Sequence, residues 1–205
     1  CTIVWRLIFK KKIYNNFIMV CINLALLKTL QSDYKNYPNF IETGTYKGET
    51  ILHMEQYFSN LYTIEIKKEF YENVKNKYKG DKINFYLGDS GDVLTEILPN
   101  INGKSIIFLD GHWSAGNTGK GNKDCPLYEE LNTIMSNHKD EAIIIIDDAR
   151  LFGMGPNNNN KYDICDWEEI NTENILKIVK DRMTNHYLLA SSMDPEDRLV
   201  IHISK

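Results

Sequence analysis

The most informative segment of this chain is Phe40-Ile41-Glu42-Thr43-Gly44-Thr45-Tyr46-Lys47-Gly48-Glu49-Thr50. It joins an apolar strand to a helical pattern through an acidic residue and two glycines four positions apart. Three later segments complete the pattern: Thr63-Ile64-Glu65, Gly88-Asp89-Ser90 and Phe108-Leu109-Asp110-Gly111-His112. Each is typical of the carboxyl end of a parallel strand, which is where open α/β sheets bind ligands.

Strands and helices alternate along the chain from residue 38. Strands are predicted at Asn39–Thr43, Leu61–Ile66, Ile83–Leu87, Ser105–Leu109 and Ala142–Ile146, and helices at Glu49–Phe58, Glu69–Tyr78, Gly91–Leu98, Tyr128–Asn137 and Trp167–Met183. This alternation favours a parallel sheet with helices on both faces. Two long loops, 111–125 and 152–162, follow strand ends on the expected ligand face, as lids and substrate-contacting loops often do.

The end of the chain has a different pattern. Strands are predicted at Tyr187–Ser191 and Arg198–Ile203, with only a few turn residues between them. Such a pair must be antiparallel, because a parallel pair needs a long crossover. The expected fold is therefore α/β: a Rossmann-like, seven-stranded, mostly parallel sheet with a C-terminal antiparallel hairpin strand and helices on both faces.

Composition limits the functional classes. The chain has 205 residues, 42% hydrophobic and 25% charged, which fits a globular domain with a sizeable core. A net charge of −4 gives no electrostatic footprint for nucleic acid, so no such partner is expected. The four cysteines are far apart and form no Cys-x-x-Cys pair. This argues against a disulfide framework or a zinc site and favours reduced thiols in a cytoplasmic protein.

The N-terminal segment is ambiguous. Residues 17–27 are apolar and follow the basic run Lys10-Lys11-Lys12, a pattern faintly similar to a signal sequence. The apolar run is too short to span a bilayer, and no membrane partner is expected. We expect a helical segment over residues 1–34 that packs on a domain formed by residues 35–205, or against a second subunit in a homo-oligomer. Met19 offers an alternative start, which would leave residues 1–18 outside the functional unit.

The glycine motif indicates the kind of ligand. Gly44 and Gly48 allow a tight turn and a close approach of the backbone to a ligand. A dinucleotide-binding fingerprint would place glycines in GxGxxG spacing around a pyrophosphate. Here the spacing is ExGxxxG, and the acidic residue Glu42 comes first. A carboxylate is a poor neighbour for pyrophosphate but a good partner for an ammonium group, so the motif favours the amino acid end of S-adenosylmethionine. The alternative is an ordinary glycine-containing turn.

The next two strand ends extend this hypothesis. Glu65 lies some twenty residues further on, where an acidic side chain can accept hydrogen bonds from both ribose hydroxyls. On its own it would more often be a surface acid. Asp89 and Ser90 end the third strand and could contact adenine. They could also cap the following helix, and the two roles are compatible.

Three carboxylates predict a metal site. Asp110, Asp147 and Asp148 follow two strands that would be neighbours in this sheet. Carboxylates brought together repel one another unless a cation lies between them, and oxygen-only ligands suit Mg²⁺ or Ca²⁺. The alternative is that the aspartate pair only caps the turn after a buried strand. Arg150 could contact an anionic group, such as a nucleotide-sugar phosphate, or could neutralise these acids.

His112 is the candidate general base. Histidine side chains ordinarily titrate near neutrality and can accept a proton there. Its position, two residues after Asp110, distinguishes it from the other four histidines, which we interpret as structural. The neighbouring Gly111 and Trp113 indicate a specially shaped loop with an aromatic wall.

Residues 38–152 resemble class I S-adenosylmethionine-dependent methyltransferases, and more narrowly the macrocin-type, metal-dependent sugar O-methyltransferases. The resemblance lies in Glu42-Thr43-Gly44, Glu65, Gly88-Asp89-Ser90, Leu109-Asp110-Gly111-His112 and Ile146-Asp147-Asp148. It implies that Asp110, Asp147 and Asp148 hold Mg²⁺, which binds two sugar hydroxyls. It also implies a base two residues after Asp110, where the family has aspartate and this chain departs with His112.

Taken together, these motifs predict the site residues. Cofactor contacts are expected from Glu42, Thr43, Gly44, Tyr46, Gly48, Glu49, Thr50, Glu65, Ile66, Gly88, Asp89, Ser90 and Asp110. Catalysis is assigned to His112 and Asp110. The expected function is Mg²⁺-dependent O-methylation of a small-molecule acceptor, such as a sugar, a nucleotide sugar or another vicinal diol.

Two other functional classes stay open. One is a nicotinamide-dependent oxidoreductase with a degenerate glycine loop, against which the missing GxGxxG and the terminal hairpin argue. The other is a non-catalytic, methyltransferase-like binding module, against which the retained acids argue.

Overall fold

The computed structural model describes residues 22–156 and 164–205. Expectations for residues 1–21 and 157–163 lie outside the described residues. The strands are β1 (Asn39–Thr43), β2 (Asn60–Glu65), β3 (Ile83–Leu87), β4 (Ser105–Leu109), β5 (Ala142–Ile146), β6 (Met183–Leu189) and β7 (Arg198–Ile203). The α-helices of the described ranges are α1 (Leu24–Leu27), α2 (Glu49–Met54), α3 (Lys68–Lys77), α4 (Ser90–Ile97), α5 (Leu127–Asn137) and α6 (Thr172–Val179). Short 3₁₀ helices occur at Tyr34–Asn36, Leu98–Asn100 and Ala149–Leu151.

The seven strands form one sheet in the order β3-β2-β1-β4-β5-β7-β6. The first five strands are parallel, whereas β7 runs antiparallel to β5 and β6 antiparallel to β7. The predicted α/β fold, with its C-terminal hairpin, is confirmed. Because β1 pairs with both β2 and β4, the strand order reverses there, and a crevice opens at the carboxyl ends of these strands.

Both faces of the sheet are covered. Along β4, Ile106 and Phe108 point into one core cluster, and Ile107 and Leu109 into the other. Helices α4, α5 and α6 pack on the second of these faces. On the first face, α1 and α2 pack with the segment around Ile22. Strand β5, which reads Ala-Ile-Ile-Ile-Ile, is buried at every position, as parallel strands between two helical layers are.

The predicted helix Trp167–Met183 is wrong over about half of its length. The helix α6 spans only Thr172–Val179, and β6 already begins at Met183. The helix begins where the side chain of Asn171 accepts a hydrogen bond from the Asn174 N–H at 2.9 Å, an N-cap. Trp167 precedes this helix and is buried, but it lies in a loop. The spacing of the buried apolar residues in that loop resembles the spacing expected for a helix.

Smaller differences affect other element ends. The predicted helix Glu49–Phe58 ends at Met54, and the predicted strand Tyr187–Ser191 is instead Met183–Leu189. The remaining boundaries agree with prediction or shift by one residue, which is the usual uncertainty at helix and strand ends.

The described part of the N-terminal segment packs on the domain. Ile22 and Leu27 are fully buried in the cluster that contains Phe40 and Ile51. Its helical part is short, since α1 has four residues. The division at residue 34 stays a prediction. Within 22–156 and 164–205, no helix combines the length and the apolar character required to cross a bilayer.

Candidate functional site

The turn between β1 and α2 packs directly on the end of β4. Gly44 has φ +83°, and a Cβ there would overlap the carbonyl oxygen of Asp110. Its N–H donates to the carbonyl of Ile64 at 2.9 Å. The ends of β1, β2 and β4 are thus joined through one residue that only glycine fits.

Glu65 fixes the same turn. Its Oε2 accepts a hydrogen bond from the Tyr46 N–H at 2.7 Å, and its Oε1 accepts one from the Lys67 N–H at 2.8 Å. Each carboxylate oxygen has two lone pairs, so both keep an acceptor position. Glu65 can therefore shape the turn and still receive ligand hydroxyls.

Glu42 lies beneath the site. It is 2% exposed, and its Oε2 accepts a hydrogen bond from the Thr63 hydroxyl at 2.8 Å. Burial raises the pKa of Glu42 to about 8, and the charge of Glu65 adds to this, against the opposing effect of the Thr63 hydrogen bond. At neutral pH the Glu42 side chain is therefore mainly a neutral acid.

A single cleft at the strand ends brings most of the predicted cofactor residues together. We call it the strand-end cleft, and the predicted residues that line it are Gly44, Tyr46, Glu65, Ile66, Gly88, Asp89, Ser90, Asp110 and His112. The other predicted residues, Glu42, Thr43, Gly48, Glu49 and Thr50, do not line it. Asp89 also caps α4, since its Oδ1 accepts a hydrogen bond from the Gly91 N–H at 3.1 Å.

The loop of residues 111–125 folds over the strand-end cleft. A Cβ on Gly121 would lie 2.5 Å from Asp89 Oδ2 and 3.1 Å from Ile66 Cδ1. The ammonium group of Lys67 donates to Asn117, which ties the loop to the end of β2. The predicted position of this loop on the ligand face is therefore confirmed.

His112 lies between two carboxylates. Its Nε2 is 3.2 Å from Asp148 Oδ2, and its Nδ1 is 3.6 Å from Asp110 Oδ1. The second distance is too long for a hydrogen bond. The ring packs edge-on against Trp167, with centroids 4.8 Å apart, and the side chain is 9% exposed. Asp148 therefore orients the imidazole, while Nδ1 stays on the side of Asp110.

The two aspartates after β5 point in different directions. Asp148 adopts φ +59°, and its Oδ1 accepts a hydrogen bond from Arg150 at 2.5 Å. Asp147 instead places Oδ1 3.0 Å from Nε of Arg198. Within the described ranges, donor atoms converge to within 4.8 Å in two groups, Asp110 with His112 and Asp148, and Asp147 with Asp148 and Asp197. The three predicted metal ligands do not form one group.

The ionisation of the three aspartates differs for physical reasons. Burial raises the pKa of Asp110 well above its usual range, and the charges of Asp147 and Asp148 add to this. Burial also raises the pKa of Asp147, to about 6, although the positive charge of Arg198 acts to lower it. Burial opposes ionisation of Asp148 as well, but the neighbouring His112 and Arg150 outweigh it and lower that pKa. Asp148 is therefore the ionised partner of His112.

Glu130 on α5 was missed by the sequence analysis. It is 2% exposed, and its Oε1 has no hydrogen-bond partner among the described residues. A Cβ on Gly111 would lie 3.0 Å from this oxygen. Burial raises the pKa of Glu130 to about 7, although the nearby hydroxyls of Ser90 and Thr43 act to lower it. The sequence contained a signal for this residue, because helical spacing places Glu130 on the buried face with Leu127, Leu131 and Ile134.

Comparisons with known proteins identify the fold. No protein-family model and no curated protein sequence matches the chain. Among solved structures, one match is a protein of Listeria monocytogenes described as an S-adenosylmethionine-dependent methyltransferase. Its TM-score is 0.54 at 11% identity, over 88% of this chain and 96% of that one.

Two further structures extend the comparison. A fibrillarin/Nop5p complex matches with a TM-score of 0.55 at 16% identity, over 88% of this chain and 78% of that one. Human N-acetylserotonin methyltransferase, solved with S-adenosylmethionine, matches with a TM-score of 0.50 at 15% identity, over 85% and 50% of the two chains. The chain therefore has the Rossmann-like fold of class I S-adenosylmethionine-dependent methyltransferases.

Proposed function

We propose that this protein is an S-adenosylmethionine-dependent O-methyltransferase that acts on a hydroxyl group of a small molecule. One observation carries the proposal: residues from four strand ends line a single cleft, and that cleft includes a histidine oriented by an ionised carboxylate. A cofactor site beside an oriented base is what methyl transfer to a hydroxyl requires. A sugar, nucleotide sugar or other vicinal diol is the proposed acceptor, on the strength of the motif resemblance.

The residues of the cleft suit the parts of S-adenosylmethionine. The turn at Gly44 and Tyr46 would receive the methionine end, and Glu65 the ribose hydroxyls through its remaining lone pairs. Asp89 and Ser90 would receive adenine. Asp110, like Glu65 and Asp89, has no arginine or lysine ion-pair partner in the described ranges, and a sulfonium-bearing ligand would supply a positive charge in this cleft. When bound, the cofactor supplies an electrophilic methyl group.

His112 would accept the proton of the acceptor hydroxyl. Asp148 accepts the Nε2–H, so the lone pair of the neutral imidazole lies on Nδ1. S-adenosylmethionine held in the cleft would supply the methyl group to the acceptor oxygen and leave as S-adenosylhomocysteine, and Nδ1 of His112 would accept the hydroxyl proton. Because the methyl donor is already a strong electrophile, positioning supplies much of the acceleration.

The arrangement of the acids does not fit the Mg²⁺ site implied by the resemblance. Asp147 is paired with Arg198, and the group that converges around Asp110 includes the imidazole of His112. Mg²⁺ prefers oxygen ligands in near-octahedral geometry, so we assign no catalytic step to a metal ion.

Calorimetric titration with S-adenosylmethionine and S-adenosylhomocysteine tests the proposal. We expect binding in the micromolar range and a loss of at least about tenfold in affinity for Glu65→Ala, which removes the ribose acceptor. Glu49→Ala, at the start of α2 and outside the cleft, is the control. Titration with NADH addresses the oxidoreductase alternative. Absence of S-adenosylmethionine binding at high micromolar concentration, especially with NADH binding, would contradict the proposal.

A further inference from the structure

Four carboxylates lie close together at the ends of β5 and β7. Asp147 and Asp148 follow β5, Asp197 precedes β7, and Asp110 faces them from the end of β4. The carboxylates of such a cluster repel one another unless positive charge or bound protons offset the repulsion. For Asp110, Asp147 and Asp148, the sequence predicted that a divalent ion would supply the charge. The structure places two arginine side chains among the acids instead.

Arg198 neutralises Asp147. Strand β7 pairs antiparallel with β5, with Leu199 opposite Ile146, so the next positions along the two strands bring Arg198 beside Asp147. The guanidinium Nε lies 3.0 Å from Asp147 Oδ1, with both side chains about one-tenth exposed. Its Nη1 donates to the carbonyl of Ala190 at 3.0 Å, which anchors the guanidinium. Strand register therefore fixes this ion pair.

Arg150 joins Asp148 to Asp197. Its Nη1 donates to Asp148 Oδ1 at 2.5 Å and to Asp197. The Asp197 side chain is 2% exposed and also accepts a hydrogen bond from the Ser191 hydroxyl. Asp148 thus has Arg150 on Oδ1 and His112 on Oδ2. A metal ion that took this carboxylate would have to displace one of them.

We propose that Arg150 and Arg198 take the place of the divalent cation, so that this site works without a metal ion. The two arginines are positioning residues: they hold the aspartates apart, and Arg150 fixes Asp148, which orients His112. A partly buried carboxylate that already has a guanidinium partner gives up that pairing at a large cost. The orientation of the base rests on the proposed function, whereas the replacement of the cation does not.

Metal binding to chelator-treated protein is the direct test. We titrate Mn²⁺ and Mg²⁺ by calorimetry and follow Mn²⁺ by electron paramagnetic resonance, each with and without S-adenosylmethionine. The expected result for the wild type is no binding tighter than about 1 mM, and methyl transfer unchanged in EDTA. Mn²⁺ binding at tens of micromolar or tighter, or methyl transfer that EDTA abolishes and Mn²⁺ restores, would overturn the proposal.

Arginine variants sharpen the test. Arg198→Met leaves Asp147 without its partner and should tighten Mn²⁺ binding at least tenfold, whereas Arg198→Lys keeps the charge and should not. Arg150→Met should lower kcat more than tenfold without changing the affinity for S-adenosylmethionine, and Arg150→Lys should recover part of the loss. If Arg198→Met does not fold, Arg150→Met is also scored for Mn²⁺ binding, which should likewise tighten. A variant that folds and binds Mn²⁺ no better than wild type counts against the proposal.

The same preparations separate the two proposals. Failure of S-adenosylmethionine to bind would overturn the methyltransferase function, and the cation replacement would then be judged on Mn²⁺ binding alone. Binding of S-adenosylmethionine together with tight Mn²⁺ binding would overturn only the cation replacement.

Discussion

Gly44 and Asp110 touch through their backbones, so the loops that follow β1 and β4 behave as one unit. The carbonyl oxygen of Asp110 occupies the space that a Cβ on Gly44 would need, and Gly44 also has a positive φ. A side chain at position 44 would push away the strand end that presents Asp110 and His112.

We expect Gly44→Ala to lower the free energy of unfolding by about 1–3 kcal/mol, because it combines a disfavoured φ with a backbone clash. Urea denaturation measures this. Gly153→Ala is the matched control, since Gly153 has φ +77° but its Cβ would meet no described atom within 4 Å. Equal losses in the two variants would show that φ alone matters and that the contact with Asp110 does not.

Replacement of His112 should separate catalysis from cofactor binding. We expect His112→Asn to reduce kcat by about 10²–10⁴-fold, the range for loss of a general base, with S-adenosylmethionine affinity within about threefold of wild type. Asp148→Asn should reduce kcat in the same direction, because Nε2–H loses its ionised acceptor. His53→Asn is the control in α2. A His112 variant with unchanged kcat would exclude the proposed base.

Glu42 should make stability depend on pH. Its folded-state pKa of about 8 lies above the usual 4.5, so the native state binds the proton more tightly than the unfolded chain. This contribution is fully present below about pH 4.5 and is lost as the pH rises through 8. Glu42→Gln removes it, and we expect the variant to gain stability relative to wild type, on the order of a few kcal/mol, at pH 8.

The measurement is urea denaturation of wild type and Glu42→Gln at pH 5 and pH 8. The difference in unfolding free energy between the two proteins should grow with pH. A difference that is the same at both pH values would mean that Glu42 keeps an ordinary pKa in the folded protein.

The loop over the strand-end cleft should control cofactor affinity. Gly121→Ala places a methyl group 2.5 Å from Asp89 Oδ2, and the loop must rise to make room. We expect S-adenosylmethionine affinity to fall about tenfold, or roughly 1.4 kcal/mol. Gly116→Ala in the same loop is the control for backbone strain alone, because Gly116 has φ +58° but its Cβ would have no described neighbour within 4 Å. Calorimetry that finds the two variants equal would argue against contact between loop and cofactor.

Much of the sheet could be predicted because local signals were consistent. Ala142–Ile146 is a run of branched apolar residues before two aspartates, and its bounds agree with the structure. The helix predicted to begin at Trp167 was wrong because the local pattern there was ambiguous. Its apolar residues are buried as a loop against the core, and burial without regular structure leaves a periodicity that a helix would also produce.

The candidate site could be predicted in part. The carboxyl ends of parallel strands share one edge of the sheet, so the lining of the cleft by Glu65, Asp89 and Asp110 followed from the predicted parallel direction of their strands. The pairing of Asp147 with Arg198 depends on a register between distant strands, which no local pattern encodes. The sequence therefore indicated that the acids need a cation but not which one.

The antiparallel pairing of β7 with β5 has a consequence for how the protein is made. Every residue assigned to the methyl donor precedes position 111, whereas Arg150, Asp197 and Arg198 come later. A growing chain would complete its donor-binding half first, and Asp147 would lack its guanidinium partner until the closing hairpin docks. Docking of that hairpin, rather than formation of the strand-end cleft, would then complete the reaction centre.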